Sequence, residues 1–144
     1  MKLKTLVLLA LIFALFSFKS DNTKLNGTWK LISQNLVRNG KSNVAITDQV
    51  NGEVLKTWSD KYFMFVGKSS NGFQTQHYGG GTYELSGNVY TENIQYHYTQ
   101  VFRGRTIQQY VELKGDTLYQ IFPLDANGHY DKDNCNIEKY VRVD

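Results

Sequence analysis

The sequence predicts an all-β fold, a single antiparallel up-and-down barrel of roughly eight to ten strands. Beyond its first twenty residues the chain is rich in Tyr, Thr, Val and Gly and has Pro123 as its only proline, a composition typical of strands. Short strand-like runs recur, and turn pairs such as Asn39-Gly40 and Gly115-Asp116 separate most of them. The 144 residues fit one domain.

Residues 1–20 predict a secretory signal peptide. Lys2 and Lys4 precede an uncharged apolar run from Leu6 to Phe16, which is too short to cross a bilayer and stop there. We expect cleavage between Ser17 and Asp21, a mature domain over residues 21–144 without a membrane span, and a protein that is exported to the periplasm or secreted. An uncleaved N-terminal anchor is the alternative.

The charge balance of the mature domain argues against polyanionic partners. Three of the 16 basic residues, Lys2, Lys4 and Lys19, lie in the leader, which leaves 13 basic and 13 acidic residues. A domain of zero formal charge has no overall attraction for nucleic acid or for an anionic membrane surface. We therefore expect neither as a partner.

The chain shows no motif for a metal, a cofactor or catalysis. Cys135 is the only cysteine, so it forms no internal disulfide and is interpreted as a small filler beside the last strand. The three histidines, His77, His97 and His129, lack metal-ligand spacing. There is no Gly-x-Ser-x-Gly elbow, and the run 79–81 of three glycines precedes a strand, which indicates a sharp bend or a close strand crossing rather than a phosphate loop.

The strand pattern runs along most of the mature chain. Residues 35–49 lack it and predict a loop or a short helix across one mouth of the barrel. The predicted strands are 28–33, 54–58, 61–66, 73–78, 81–85, 89–99, 106–113, 117–123 and 136–143.

Two predicted hairpins indicate which side chains point inward. Around Gly115, one face carries Ile107, Gln109, Val111, Leu113, Leu118, Gln120 and Phe122. The other carries Tyr110, Glu112, Tyr119 and Ile121. Around Gly87, Tyr83 and Leu85 share a face with Tyr90, Glu92, Ile94, Tyr96 and Tyr98. His97 lies on the opposite face. The more apolar face of each hairpin is predicted to be internal, which places Glu92, Gln109 and Gln120 inside the barrel unless a bulge re-aims Glu92.

These inward polar residues form the candidate site. A carboxylate inside an apolar barrel must be hydrogen-bonded, paired or protonated, and a few convergent polar groups among apolar walls are typical of ligand pockets. The predicted polar anchors are Glu92, Gln109 and Gln120, and the predicted walls are Phe63, Phe65, Tyr83, Tyr96 and Phe122. A structural network satisfied by its own members, or Glu92 at the rim, is the alternative. Arg103 and Arg105 are interpreted as a charged turn, with a gate for an anionic ligand as the other possibility.

The opening Gly27-Thr28-Trp29, followed by antiparallel strands, resembles the lipocalin-like, calycin-type barrels. Residues 25–33 also look like the start of fatty-acid-binding proteins, without an evident two-helix lid. The segments 57–67, 79–83 and 116–120 are similar to uncharacterised exported bacterial lipocalin-like domains. The resemblance implies that Trp29 plugs one end of the barrel, with Lys139 or Arg142 packed against it. It also implies that a small apolar or amphipathic ligand is bound, although fold alone does not determine function.

Three functions remain open from the sequence. The first is binding of a small hydrophobic or amphipathic molecule, lipids included, inside the barrel. The second is a small barrel enzyme, an isomerase or hydrolase, with Glu92 as general base and a tyrosine as acid. The third is a solid barrel that interacts with proteins through an exposed patch of Tyr110, Tyr119 and Ile121. Without a catalytic motif, the first is the interpretation we carry forward.

Overall fold

The computed structural model describes residues 24–44, 54–68 and 75–144. Within these ranges no helix has the length and apolar character that a membrane span requires. One 3-10 turn, Gln100–Phe102, lies between two of the strands. The nine strands formed by the described residues are β1 Gly27–Arg38, β2 Lys41–Val44, β3 Val54–Trp58, β4 Tyr62–Lys68, β5 Thr75–Ser86, β6 Val89–His97, β7 Thr106–Lys114, β8 Thr117–Phe122 and β9 Cys135–Arg142.

The sheet closes on itself as an antiparallel barrel. From β3 to β9 each strand pairs with the next, β3 also pairs with β1, and β9 returns to pair with β1 over most of its length. The strand β2 pairs only with the far end of β1, so the closed barrel has eight strands. The predicted all-β antiparallel barrel is confirmed.

The far half of β1 differs from the sequence-based prediction. Residues 35–38 continue β1, and a tight turn at Asn39-Gly40 leads into β2, where a loop or short helix was expected. Both turn residues have positive φ, 51° and 71°, as a two-residue hairpin turn requires. Residues 45–49, like the predicted leader and positions 21–23, lie outside the described residues.

The glycine run at 79–81 lies inside one long strand. The predicted strands 73–78 and 81–85 are joined as β5, with 73 and 74 outside the described residues. A Cβ on Gly79 would overlap the ring of Phe65, and one on Gly81 would overlap the carbonyl oxygen of Asn93. These glycines therefore let the Phe65 ring of β4 and the backbone of β6 approach β5 closely, which confirms the predicted close strand crossing. The expected division into two strands, 73–78 and 81–85, is wrong, because β5 is continuous through the glycine run.

Aromatic side chains fill one end of the barrel. Trp29 packs edge-on against Trp58 with ring centroids 6.5 Å apart, and its Nε1 donates a hydrogen bond to the carbonyl of Leu25 at 2.9 Å. The Nε1 of Trp58 donates to the hydroxyl of Tyr90 at 2.8 Å. With Phe63, these buried rings belong to the main hydrophobic core. We call this the closed end.

Arg142 covers the plug from outside. Its guanidinium carbon lies 4.4 Å from the centre of the Trp29 ring, whereas Lys139 lies over Tyr119. Arg142 also donates to the carbonyl of Asn26 at 2.5 Å. Gly27, with φ of +123°, lacks the Cβ that would collide with the Arg142 guanidinium. The glycine and the tryptophan of the opening motif thus serve the same stacked contact.

Candidate ligand cavity

The other half of the barrel interior holds a cavity of about 630 Å³. This is within the range of roughly 300–1,000 Å³ seen for small-molecule sites. The barrel interior is therefore filled at the closed end and hollow toward the opposite end. The apolar and aromatic side chains that line the cavity are Leu31, Val54, Phe65, Ile94, Tyr98, Phe102, Ile107, Phe122 and Tyr140.

A layer of polar side chains separates the cavity from the aromatic core. We call this layer the polar floor; its members are Gln34, Lys56, Glu92, Gln109, Gln120 and Glu138. All of them except Gln120 also line the cavity. Glu138 on β9 is paired with Gln34 on β1 and with Gln120 on β8, so these three residues cross adjacent strands. Lys56 and Glu92 reach the layer from β3 and β6.

A buried ion pair is the centre of the polar floor. The Nζ of Lys56 lies 2.6 Å from Oε1 of Glu92, and it donates a second hydrogen bond to Oε1 of Gln120 at 3.2 Å. The rings of Trp58, Phe63 and Tyr90 surround the ammonium at 5.0–5.5 Å from their centres. Two charges buried together in this way are tolerated because each is the partner of the other.

Glu138 is the second carboxylate of the polar floor. Its Oε2 accepts a hydrogen bond from the hydroxyl of Tyr140 at 2.6 Å, and its Oε1 accepts from Nε2 of Gln34 at 3.2 Å. Burial raises the pKa of the Glu138 carboxyl, and the Glu92 charge raises it further, against the opposing effect of Lys56. Burial also raises the pKa of Tyr140 well above its usual value, with the Glu138 charge adding to it. Tyr140 is therefore a hydrogen-bond donor at neutral pH.

The polar floor also holds an unsatisfied donor. Nε2 of Gln120 is fully buried and has no hydrogen-bond partner among the residues that the structure describes. Its carbonyl oxygen is already used by Lys56. Buried polar groups in native proteins normally have a partner, so within the described residues this amide N–H group is an exception in the polar floor.

Aromatic rings crowd the cavity wall away from the polar floor. His97 stacks on Tyr98 with centroids 4.6 Å apart and contacts Phe102 at 4.7 Å, while His77 meets Tyr98 edge-on at 4.8 Å. Burial lowers the pKa of His97, and its Nδ1 accepts a hydrogen bond from the backbone N–H of Thr99 at 2.9 Å. His97 is therefore an uncharged aromatic side chain of the cavity wall at neutral pH.

The structure places seven of the eight predicted ligand-site residues in three groups. Phe65, Glu92, Gln109 and Phe122 line the cavity. Phe63 and Tyr83 lie in the main core of the closed end. Gln120 is buried in the polar floor without lining the cavity. Burial raises the pKa of Tyr83 to about 12, with the Asp60 charge adding to it, and its hydroxyl donates to the carbonyl of Ser59.

The prediction that Tyr96 points into the barrel is wrong, because Tyr96 is 68% exposed to solvent. The pairing of β5 with β6 shifts where Gly80 pairs with Tyr96 and Gly81 pairs with Ile94. The extra residue, Gln95, is a bulge, and a bulge reverses the inward and outward alternation beyond it. As a result His97, predicted to face outward, lines the cavity instead.

The outer patch expected of a protein-interaction module also differs from the prediction. Ile121 is buried in a cluster with Val37 and Cys135, and Tyr110 and Tyr130 pack against that cluster. The loop that follows β8 thus covers part of this face. Cys135 fills space there, as expected, and burial raises the pKa of its thiol.

Sequence reasoning missed Lys56 and Glu138, although alternation could have found both. Lys56 lies two residues before Trp58 on β3, and Glu138 lies two residues before Tyr140 on β9. Because alternate strand residues share a face, the inward Trp58 and Tyr140 bring these charged residues inside. Among the described residues, no three His, Cys, Asp or Glu side chains are grouped so that they could hold a metal ion.

Comparison with known proteins agrees with this architecture. The family model of a lipocalin-like domain matches residues 25–119, which run from before β1 to the middle of β8. This chain belongs to the lipocalin-like domain family. No curated protein matches its sequence.

Two solved structures share the fold of this lipocalin-like protein. One is a lipocalin-like protein from Bacteroides uniformis, with a TM-score of 0.51 and 15% identity over 83% of this chain and 98% of the other. The second is an uncharacterized protein from Bacteroides eggerthii, with a TM-score of 0.52 and 10% identity over 83% of this chain and 99% of the other. At these identities the likeness concerns the fold alone.

Proposed function

We propose that this lipocalin-like protein binds a small hydrophobic or amphipathic molecule, such as a lipid, inside the barrel. The observation that carries the proposal is the cavity of about 630 Å³ with an apolar wall above a polar floor. An apolar chain that enters such a cavity leaves water, which is favourable by about 25 cal/mol per Å² of buried apolar area. The polar floor offers hydrogen bonds to one polar end of the same molecule.

The layering of the interior also suggests how the ligand lies. Below the polar floor lie the aromatic rings of the closed end, among which Trp29, Phe63 and Tyr90 are almost fully buried. A polar head group would therefore rest on the floor, beside Gln109 and Glu138, and an apolar tail would extend along Phe65 and Ile107.

The state of Glu92 favours binding over general-base catalysis. An enzyme of the kind considered above needs Glu92 free to take a proton from a substrate. Its Oε1 is instead 2.6 Å from the ammonium of Lys56. We therefore interpret the Lys56–Glu92 pair as a fixed part of the polar floor, which shapes the cavity.

We also propose that the protein is exported, to the periplasm or outside the cell. This part of the proposal rests on the basic start and the apolar run within residues 1–20. Its test is N-terminal sequencing of the protein recovered from fractionated cells that express the full chain. We expect a mature start between residues 18 and 21 in the periplasmic or extracellular fraction. An intact Met1 start in the cytosolic fraction would contradict export.

Native mass spectrometry tests the binding function. The protein is purified without detergent, measured under native and denaturing conditions, and then titrated with dodecanol. We expect either a co-purified small molecule that is lost on denaturation or a saturable one-to-one dodecanol adduct. A protein that carries nothing and takes up no dodecanol would contradict the proposal.

A further inference from the structure

The polar floor contains more acidic than basic side chains. Lys56 is its only cation, and Glu92 and Glu138 are both acids. The ammonium of Lys56 is already matched by Glu92 at 2.6 Å and further occupied by the carbonyl of Gln120. Glu138 therefore has no cation of its own.

The partners of Glu138 are neutral dipoles. Tyr140 donates to one carboxylate oxygen and Gln34 donates to the other. Within the described part of the chain, Glu138 forms no ion pair. A carboxylate in this position is stabilised most by a positive charge that arrives with the ligand.

Lys56 is the only cation that acts on the Glu138 carboxyl among the described residues. Lys68 is exposed and stands at the end of β4 far from the closed end. His77 and His97 belong to the aromatic cluster with Tyr98. The balance of charge at the polar floor thus remains one cation to two acids.

We propose that the cavity selects amphipathic amines, with the ligand ammonium on the polar floor beside Glu138 and the apolar tail along the cavity wall. This inference rests on the proposed function. The ammonium has N–H donors for the Glu138 carboxylate and for amide oxygens such as that of Gln109. Tyr140 and Gln34 continue to hold the carboxylate in place.

The same balance of charges disfavours a fatty acid whose carboxylate lies on the polar floor. Such a head would add a third acid beside Glu92 and Glu138, with one ammonium to share among them. Like charges in a low-dielectric site repel strongly. A neutral alcohol avoids that repulsion but gains no ion pair, so it ranks between the amine and the acid.

Three probes with the same apolar chain test the selection: dodecylamine, dodecanol and dodecanoic acid. Each is titrated by calorimetry at neutral pH, below the critical micelle concentration of the amine and the acid and below the solubility limit of the alcohol; at this pH the amine is protonated and the acid is ionised. We expect the amine to bind about tenfold more tightly than the alcohol, and the acid to bind most weakly. This ranking uses the unaltered protein and does not depend on the folding of any variant.

Two variants assign the preference to Glu138. Glu138→Gln removes the charge and keeps a carbonyl that can accept from Tyr140, and it should bring the amine close to the alcohol in affinity. Glu84→Gln removes an equal charge from an exposed position on β5 and should leave the ranking unchanged. An effect of equal size in both variants would overturn the role of Glu138.

The outcomes separate this inference from the proposed function. If dodecanol binds but dodecanoic acid binds as tightly as the amine or more so, amine selection is wrong and the cavity function stands. If none of the three probes binds and the protein carries no small molecule, both fail; if it carries one but binds no dodecylamine, only amine selection fails. An amine preference that disappears only in Glu138→Gln supports both.

Discussion

The Nζ of Lys56 lies 2.6 Å from Oε1 of Glu92 in the barrel interior, where each side chain is less than one-tenth exposed. Aromatic rings of the closed end lie under this pair, and the cavity lies above it. The pair thus belongs to the boundary between the packed half and the hollow half of the barrel. We therefore expect this pair to contribute both to stability and to the shape of the polar floor.

Removal of Lys56 should be strongly destabilising. Lys56→Met leaves Glu92 buried without its counter-charge, which typically costs about 3–5 kcal/mol. We expect that loss in the free energy of unfolding measured with urea. In Lys56→Met/Glu92→Leu, where both charges are replaced by apolar groups, most of the loss should be recovered.

The exposed pair Lys114–Glu112 provides the matched control. Its charged atoms lie 2.9 Å apart, but Lys114 is 62% exposed at its side chain. Ion pairs in water contribute little, so Lys114→Met should change stability far less than Lys56→Met. Equal losses in the two single variants would show that Lys56 is not held in a buried pair.

Glu138 should make stability depend on pH. Burial raises its pKa above the usual 4.5, Glu92 adds to the shift, and Lys56 and Tyr140 oppose it. The folded protein therefore retains this proton to higher pH than the unfolded chain does. The free energy of unfolding contributed by this site falls as pH rises from 4.5 through the raised pKa.

The difference between the protein and Glu138→Gln isolates this effect. The variant lacks the titrating group, so its stability relative to the original should increase as pH rises through that window. Asp125 and Asp131 have pKa values lowered by hydrogen bonds, and their effect appears only at more acidic pH, equally in both proteins. Parallel pH profiles above 4.5 would contradict a raised pKa for Glu138.

Gly27 should be sensitive to any side chain. Gly27→Ala introduces a Cβ at φ of +123° where the guanidinium of Arg142 lies, and we expect a loss of about 3 kcal/mol in the free energy of unfolding. Gly87→Ala is the control, since Gly87 has φ of +60° and open space around it. It should cost about 1–2 kcal/mol, and a cost as large as that of Gly27→Ala would argue against the Arg142 contact.

The cavity wall should include Phe65 and exclude Tyr96. Phe65→Ala removes a ring that lines the cavity and should weaken dodecanol binding about fivefold, in line with the apolar area lost. Tyr96→Ala removes an exposed aromatic ring from the same region of the barrel and should leave binding unchanged. Calorimetric titration of both variants, with thermal unfolding as a check on folding, compares them directly.

Two-residue alternation explains how far the sequence predicts this site. Counted from the turn at Gly115, it brings Gln109 and Gln120 inside, and counted from Gly87 it brings Glu92 inside, all as observed. It fails beyond Ile94 because Gln95 is an extra residue in the pairing of β5 with β6, and the glycine run on β5 does not show where on β6 such a residue lies. Tyr96 and His97 exchange faces for this reason.

Contacts between residues that are far apart in sequence are harder to predict than the face of the sheet on which a side chain lies. Lys56 and Glu92 are 36 positions apart and meet only because barrel closure brings β3 and β6 to face one interior. Arg142 is distinguished from Lys139 because it pairs with Trp29 across β1 and β9, whereas Lys139 pairs with Ser33. The opening Gly27–Trp29 motif indicates the fold, whereas the polar floor requires the closed barrel.

The most direct test fills the cavity. Ile107→Trp places a large ring in the hollow half of the barrel, and Ile32→Trp makes the same change at a residue that is 46% exposed. We predict that Ile107→Trp abolishes dodecanol binding in calorimetry while the protein stays folded, and that Ile32→Trp binds like the original. Undiminished binding by a folded Ile107→Trp would contradict a ligand site inside the barrel.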